Sequence, residues 1–135
     1  CNVSNGLKLN VDKCSVLHVA PHAVVQTLSE NNLQVRLCGS SLAVCDRVKT
    51  LGVMLDSGLT FSDHVTYALQ SALGRLRGLY RYRNLLPESA KLRIMQSLVL
   101  PVFYYCYPAY GNSISKEDAC RIQKVQNKAV RFIFC

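Results

Sequence analysis

The chain has 135 residues, half of them hydrophobic and 18% charged, with a formal charge of +8. That balance is ordinary globular material and excludes a disordered chain. No uncharged apolar run reaches the roughly 18 residues of a transmembrane helix. The charge is uneven. The first 63 residues balance five bases against five acids, whereas residues 64–135 hold eleven bases and three acids (Glu88, Glu117, Asp118). Such asymmetry favours a polyanion partner for the second half, nucleic acid before an acidic membrane surface, with a solvated basic surface that has no partner as the alternative. The seven cysteines include no Cys-x-x-Cys and sit mostly in apolar context, so buried free thiols are expected rather than zinc ligands or disulfides. His18, His22 and His64 are isolated and read as structural or surface residues. The N-terminus lacks an initiating Met and a signal-peptide pattern and reads as an internal segment.

In chain order, Asn5-Gly6 reads as a helix end and Leu7–Asn10 as a connector. Cys14–Ala20 is predicted as a strand stopped by Pro21, and 22–32 as loop or a loose turn. Leu33–Cys38 alternates apolar and polar residues as a second strand. Gly39-Ser40-Ser41 is a turn, and Leu42–Cys45 leads into a strand over Val48–Leu55. The segment Val48–Phe61 (VKTLGVMLDSGLTF) is the junction. Short strands and turns precede it and helices follow it.

Helix one is predicted from Ser62-Asp63, either of which caps it, with Val65, Leu69, Ala72, Leu76 and Leu79 as its apolar stripe. Arg77 and Arg81 fall on its far side. Helix two starts at Pro87, with Leu92, Met95, Val99 and Val102 as its stripe and a kink near Pro101. Tyr104, Tyr105 and Tyr107 follow in an apolar run that fits a core, with base stacking as the alternative. Helix three runs from its cap Ser115 to the end. Its buried stripe is Ile122, Val125, Ala129 and Phe132. Arg121, Lys124, Lys128 and Arg131 repeat that spacing one residue earlier, about 100° round the helix, and stay exposed when it packs.

Four blocks in order, GLKLNVDKC (Gly6–Cys14), VKTLGVMLDSGLTFSDHV (Val48–Val65), LVLPVFYYCYPAYGN (Leu98–Asn112) and RIQKVQNKAVRFI (Arg121–Ile133), resemble the reverse transcriptases of LINE-type (non-LTR) retrotransposons. The resemblance implies an α+β fold: residues 1–61 as a small antiparallel remnant of the polymerase palm, residues 62–135 as a three-helix thumb-like bundle. It places Lys13 at the motif D lysine, a general acid toward the leaving pyrophosphate. It places Leu51, Gly52 and Val53 in a motif E hairpin that holds the primer strand. It makes Arg77, Arg81, Arg121, Lys124, Lys128 and Arg131 phosphate contacts to an RNA–DNA hybrid or primer–template. The implied setting is a nuclear, intracellular retroelement ribonucleoprotein, beside the remaining palm and fingers of the same polyprotein and away from membrane.

The resemblance further implies dNTP and magnesium for the intact enzyme, with no metal held by this segment. The Asp-Asp pair of that family is absent, so this segment alone is expected to be inactive. The competing readings are a non-catalytic nucleic-acid-binding module, an inactive retroelement relic, and a helical protein-interaction domain using the same apolar stripes.

Overall fold

The computed structural model describes residues 10–30 and 34–134. Helix and strand are mixed, in keeping with an α+β chain, and two compact units are present, Cys1–Leu59 and Thr60–Cys135. The predicted features at Asn5-Gly6 and Leu7–Leu9, and the strand start at Leu33, lie outside the described residues.

The first unit departs most from expectation. Among the described residues it has no single antiparallel sheet of three or four strands; six short strands form three separate pairs instead. β1 (Ser15–Val16) pairs in parallel with β4 (Ala43–Val44), β2 (Arg36–Leu37) antiparallel with β3 (Ser40–Ser41), and β5 (Arg47–Thr50) antiparallel with β6 (Val53–Asp56). The parallel pair needs a crossover. Part of that crossover is α1 (His22–Glu30), where a loop was expected. Pro21 is the reason. Its carbonyl accepts the first helical bonds, from Val24 at 2.9 Å and Val25 at 3.1 Å, so the residue that ends the strand also starts a helix.

The predicted strand Val48–Leu55 is instead a hairpin turning at Leu51-Gly52. Both turn residues have positive φ, 49° and 85°, which is what a two-residue primed turn requires. Cys38-Gly39 makes the same turn between β2 and β3, with φ 51° and 82°. The five described cysteines are not fully buried as expected. Cys14, Cys45 and Cys106 are half-buried, while Cys38 and Cys120 are exposed. Cys38 is lifted out by its turn, and Cys120 points away from the buried side of its helix.

The second unit is helical: α2 (Ser62–Tyr80), α3 (Glu88–Ile94), a π-helical turn (Met95–Val99), α4 (Leu100–Tyr104), α5 (Tyr107–Tyr110) and α6 (Lys116–Phe134). α2 buries Val65, Ala68, Leu69, Ala72 and Leu76, and α6 buries Val125, Ala129, Phe132 and Ile133. The break expected at Pro101 is present as the π turn just before it. Proline removes a backbone donor and its ring crowds the carbonyl four residues back, here that of Ser97. The wide turn holds one extra residue and relieves that crowding. The extra residue also advances the buried face. Met95 and Val99 are buried as predicted, but Phe103 follows them in place of Val102, and Leu92 is exposed.

α2 runs antiparallel to this broken helix: Arg75 Nη1 donates to the Leu98 carbonyl at 2.6 Å, while His64, nearer the start of α2, meets the Tyr110 ring at 4.8 Å.

Candidate nucleic-acid interface

The basic residues predicted to bind phosphate lie on α2 and α6, which run side by side in the same direction. Two contacts show this. Near their starts, Arg121 Nη2 donates to Thr66 Oγ1 at 3.1 Å. Near their ends, Tyr80 packs edge-on against Phe132 at 5.4 Å.

A polar latch closes the first end. Ser115 Oγ accepts from the Asp118 N–H at 3.0 Å, capping α6 as its sequence predicted. The Asp118 carboxylate then accepts from Ser62 Oγ at 2.8 Å, Ser115 Oγ at 3.1 Å and Arg121 Nη1 at 2.8 Å. Burial by itself pushes this carboxyl up, but the three hydrogen bonds and the Arg121 charge together hold it below its ordinary value. Ser62, predicted as a helix cap, instead lies inside the first turn of α2 and gives its hydroxyl to Asp118. Phe61 stands at the cap position with φ 57° and no capping side-chain bond. Arg121 is therefore half-buried and tied by hydrogen bonds to both Asp118 and Thr66.

The other five cations are exposed. The Thr66–Arg121 bond fixes which sides of the helices meet. Arg77 lies eleven residues beyond Thr66, about 20° off its direction; Lys128 lies seven beyond Arg121, also about 20° off. Both prolong the seam between the helices. Arg81, Lys124 and Arg131 sit about 60–80° further out, on the side turned from the core. Among the described residues, none of the five has a carboxylate within ion-pair distance. The fold therefore gathers Arg77, Arg81, Lys124, Lys128 and Arg131 onto one face, with no counter-charge.

The tyrosines divide. Tyr110 is buried, its hydroxyl donating to the Phe103 carbonyl. Tyr104, Tyr105 and Tyr107 are exposed and do not form the expected core. Tyr104 and Tyr107 line a cleft of about 370 Å³ with Gln123 and Gln126. Those two glutamines lie about 100–160° round α6 from Lys124 and Lys128, so the cleft opens away from the cationic seam. His64 is buried, and burial lowers its imidazole pKa, which suits the structural role assigned to it.

In the first unit, Lys13 closes a 3-10 turn (Val11–Lys13) capped by Asn10, and it is exposed. Leu51 and Gly52 form the tip of the β5–β6 hairpin and Val53 begins its second strand. Leu51 is 86% exposed and Val53 is buried. A leucine in the left-handed region costs about 1–2 kcal/mol, and a strained, exposed apolar tip is the kind of feature kept for contact. Among the described residues, no group of His, Cys, Asp or Glu is gathered to fit a metal ion. No helix there is long and apolar enough to cross a membrane.

Sequence reasoning missed two features. One is the Asp118 latch, visible only as a first-turn acid. The other is Tyr80-Arg81-Tyr82-Arg83, whose alternation of aromatic and basic residues was legible, though only Arg81 was singled out.

Comparison with known proteins gives no matching family model and no matching solved structure. Curated relatives do match. The protein named Probable RNA-directed DNA polymerase from transposon BS, of Drosophila melanogaster, is 30% identical over 130 residues, covering 94% of this chain and 14% of that protein. The RNA-directed DNA polymerase from mobile element jockey of the same species is 34% identical over 88 residues, 63% of this chain and 10% of that protein. The corresponding X-element protein is 36% identical over 88 residues, again 63% of this chain and 10% of that protein. The chain thus spans about one seventh or less of the relatives it matches, and over nearly all its length it is similar to a segment of transposon-encoded RNA-directed DNA polymerases.

Proposed function

We propose that this segment grips the template–primer in an RNA-directed DNA polymerase of a non-LTR retroelement. The helical unit serves as its thumb and the first unit as the end of its palm. The observation that carries this reading is the α2–α6 face, where five exposed cations stand without counter-charge. Such a face neutralises backbone phosphates and carries no sequence information, which suits an enzyme that must copy any template. The strained tip at Leu51-Gly52 supports the primer-holding hairpin, and exposed Lys13 retains its proposed role as proton donor to pyrophosphate.

Nucleotidyl transfer with dNTP and magnesium belongs to the whole polymerase in its nuclear ribonucleoprotein. This segment's part in it is grip and positioning. The protein-docking reading keeps less of its surface, because most of its apolar stripe residues, from Val65 to Phe132, are buried within the helical unit, while Leu92 is exposed and Leu79, Val102 and Ile122 are half-buried.

A salt titration of binding to an RNA–DNA hybrid tests the proposal. Five phosphate contacts give a slope of log K against log salt of about −4 to −5. Lys124→Ala with Lys128→Ala should reduce that slope by about 2 and weaken all sequences alike. A flat salt response, or an unchanged slope in the double variant, overturns it.

A further inference from the structure

We infer that Tyr82, flanked by Arg81 and Arg83, is a stacking site for an unpaired nucleotide where single-stranded RNA or DNA adjoins the hybrid. The inference rests on the grip reading and adds a second mode of contact to it. The seam described above ends at Tyr80 and Phe132, and the chain turns there through residues 81–86. Tyr80 is already occupied: Phe132 meets its ring, and the Arg83 guanidinium lies 6.0 Å from its centroid. Tyr82 has no such neighbour among the described residues and is half exposed.

Several basic side chains gather near this turn. Lys91 lies 5.9 Å from the Phe132 ring, and Arg77, Arg81 and Arg131 approach from the two helices. Among the described residues none of these, nor Arg83, has a carboxylate partner. The Arg83 Nε is buried and has no acceptor in the protein. An exposed aromatic face on a segment flanked in sequence by arginines is the kind of arrangement that holds single strands. The ring takes a base by its π face, and the arginines take the adjoining phosphates. The interior of a duplex cannot use the ring, because its bases are already stacked on both faces. Tyr104 and Tyr107 lack this property, since their cleft opens away from the cations.

The test compares binding of the whole chain to a blunt RNA–DNA hybrid and to the same hybrid bearing a three-nucleotide overhang that contains 2-aminopurine. RNA and DNA overhangs are run in parallel. An overhang of either kind should raise affinity about 5- to 100-fold and quench the 2-aminopurine fluorescence. Tyr82→Ala should abolish both effects while leaving blunt-hybrid affinity and thermal midpoint unchanged, and Tyr82→Trp should keep them. A wild-type chain that fails to bind blunt hybrid sinks the grip reading itself. A chain that binds blunt hybrid but gains nothing from either overhang sinks this inference alone, as does a Tyr82→Ala variant that weakens blunt and overhang binding equally.

Discussion

The two units of this chain differ in how they are held. Among the described residues, the buried apolar side chains from Phe61 to Ile133 all belong to the helical unit, and Val53 is the one buried apolar residue of the first unit. The helical unit has two nineteen-residue helices latched at one end and ring-packed at the other. The first unit has two- and four-residue strands in isolated pairs, and two-stranded pairs are marginal in water. The difference teaches where rigidity is available. A cationic face needs a fixed spacing to match phosphates, and this chain places it on the unit that can hold one. The hairpin tip sits on the unit with less of its own core.

The sharpest way to break this comparison is to remove core atoms from each side. Phe132→Ala should cost about 3–5 kcal/mol by urea denaturation. Leu55→Ala, at a half-buried position in β6, should cost about 1 kcal/mol or less in the helical transition. Equal losses would mean that the helical unit does not stand on its own core.

A second test addresses the latch. Asp118→Asn should cost about 1–3 kcal/mol at neutral pH, because the asparagine offers one carbonyl oxygen where the carboxylate accepts three bonds. The Asp118 carboxyl is depressed in the folded state, so its contribution is present above the unfolded pKa and lost as pH falls through the folded one. Wild type and variant should therefore converge as pH drops below the carboxylate range. A gap that persists in acid would show that the latch acts by shape and not by charge.

Glycine substitutions sharpen the picture further. A Cβ at Gly111 would meet the Tyr107 ring at 2.7 Å and its carbonyl oxygen at 2.9 Å, so Gly111→Ala should lower the thermal midpoint by an amount equivalent to about 1–3 kcal/mol. Gly74→Ala meets nothing within 4 Å and should raise stability by up to about 1 kcal/mol. The smallest effect is expected at the hairpin tip. Leu51→Asn suits positive φ better and should slow amide exchange of the β5–β6 ladder, by an amount worth about 1 kcal/mol or less.

How much of this was legible follows from the kind of signal each element sends. Helices α2 and α6 were written in 3.6-residue periodicity, and most of their buried residues were read, though Leu79 and Ile122 are only half-buried and the buried Ala68 and Ile133 were not foreseen. The hairpins were less plain in the residues, because primed turns are usually announced by Asn-Gly or Asp-Gly and here Cys38-Gly39 and Leu51-Gly52 carry them; the turn near Gly39 was read one residue late, and only the family resemblance implied a hairpin at Leu51-Gly52. An apolar residue in the turn makes two strands look like one. α1 was hidden for a related reason: Val24, Val25 and Thr27 are β-branched, and Pro21 was read as an ending only. At the interface, the basic stripe of α6 was visible, but which member would be tied to the neighbouring helix was not. Arg121 and Thr66 are 55 residues apart, and no local pattern connects them.

The π turn before Pro101 acts as a phase shift between two halves of one helix. Met95 and Val99 point inward on one register, Phe103 on the next, and the inserted residue reconciles them. Replacing the proline alone would not straighten the segment, since the apolar side chains on either side would still demand the offset. Deleting a single residue from the bulge would rotate everything downstream by about 100° and swing Phe103 and the buried Tyr110 toward water. The bend is thus encoded twice, once in the backbone and once in the side chains that follow it.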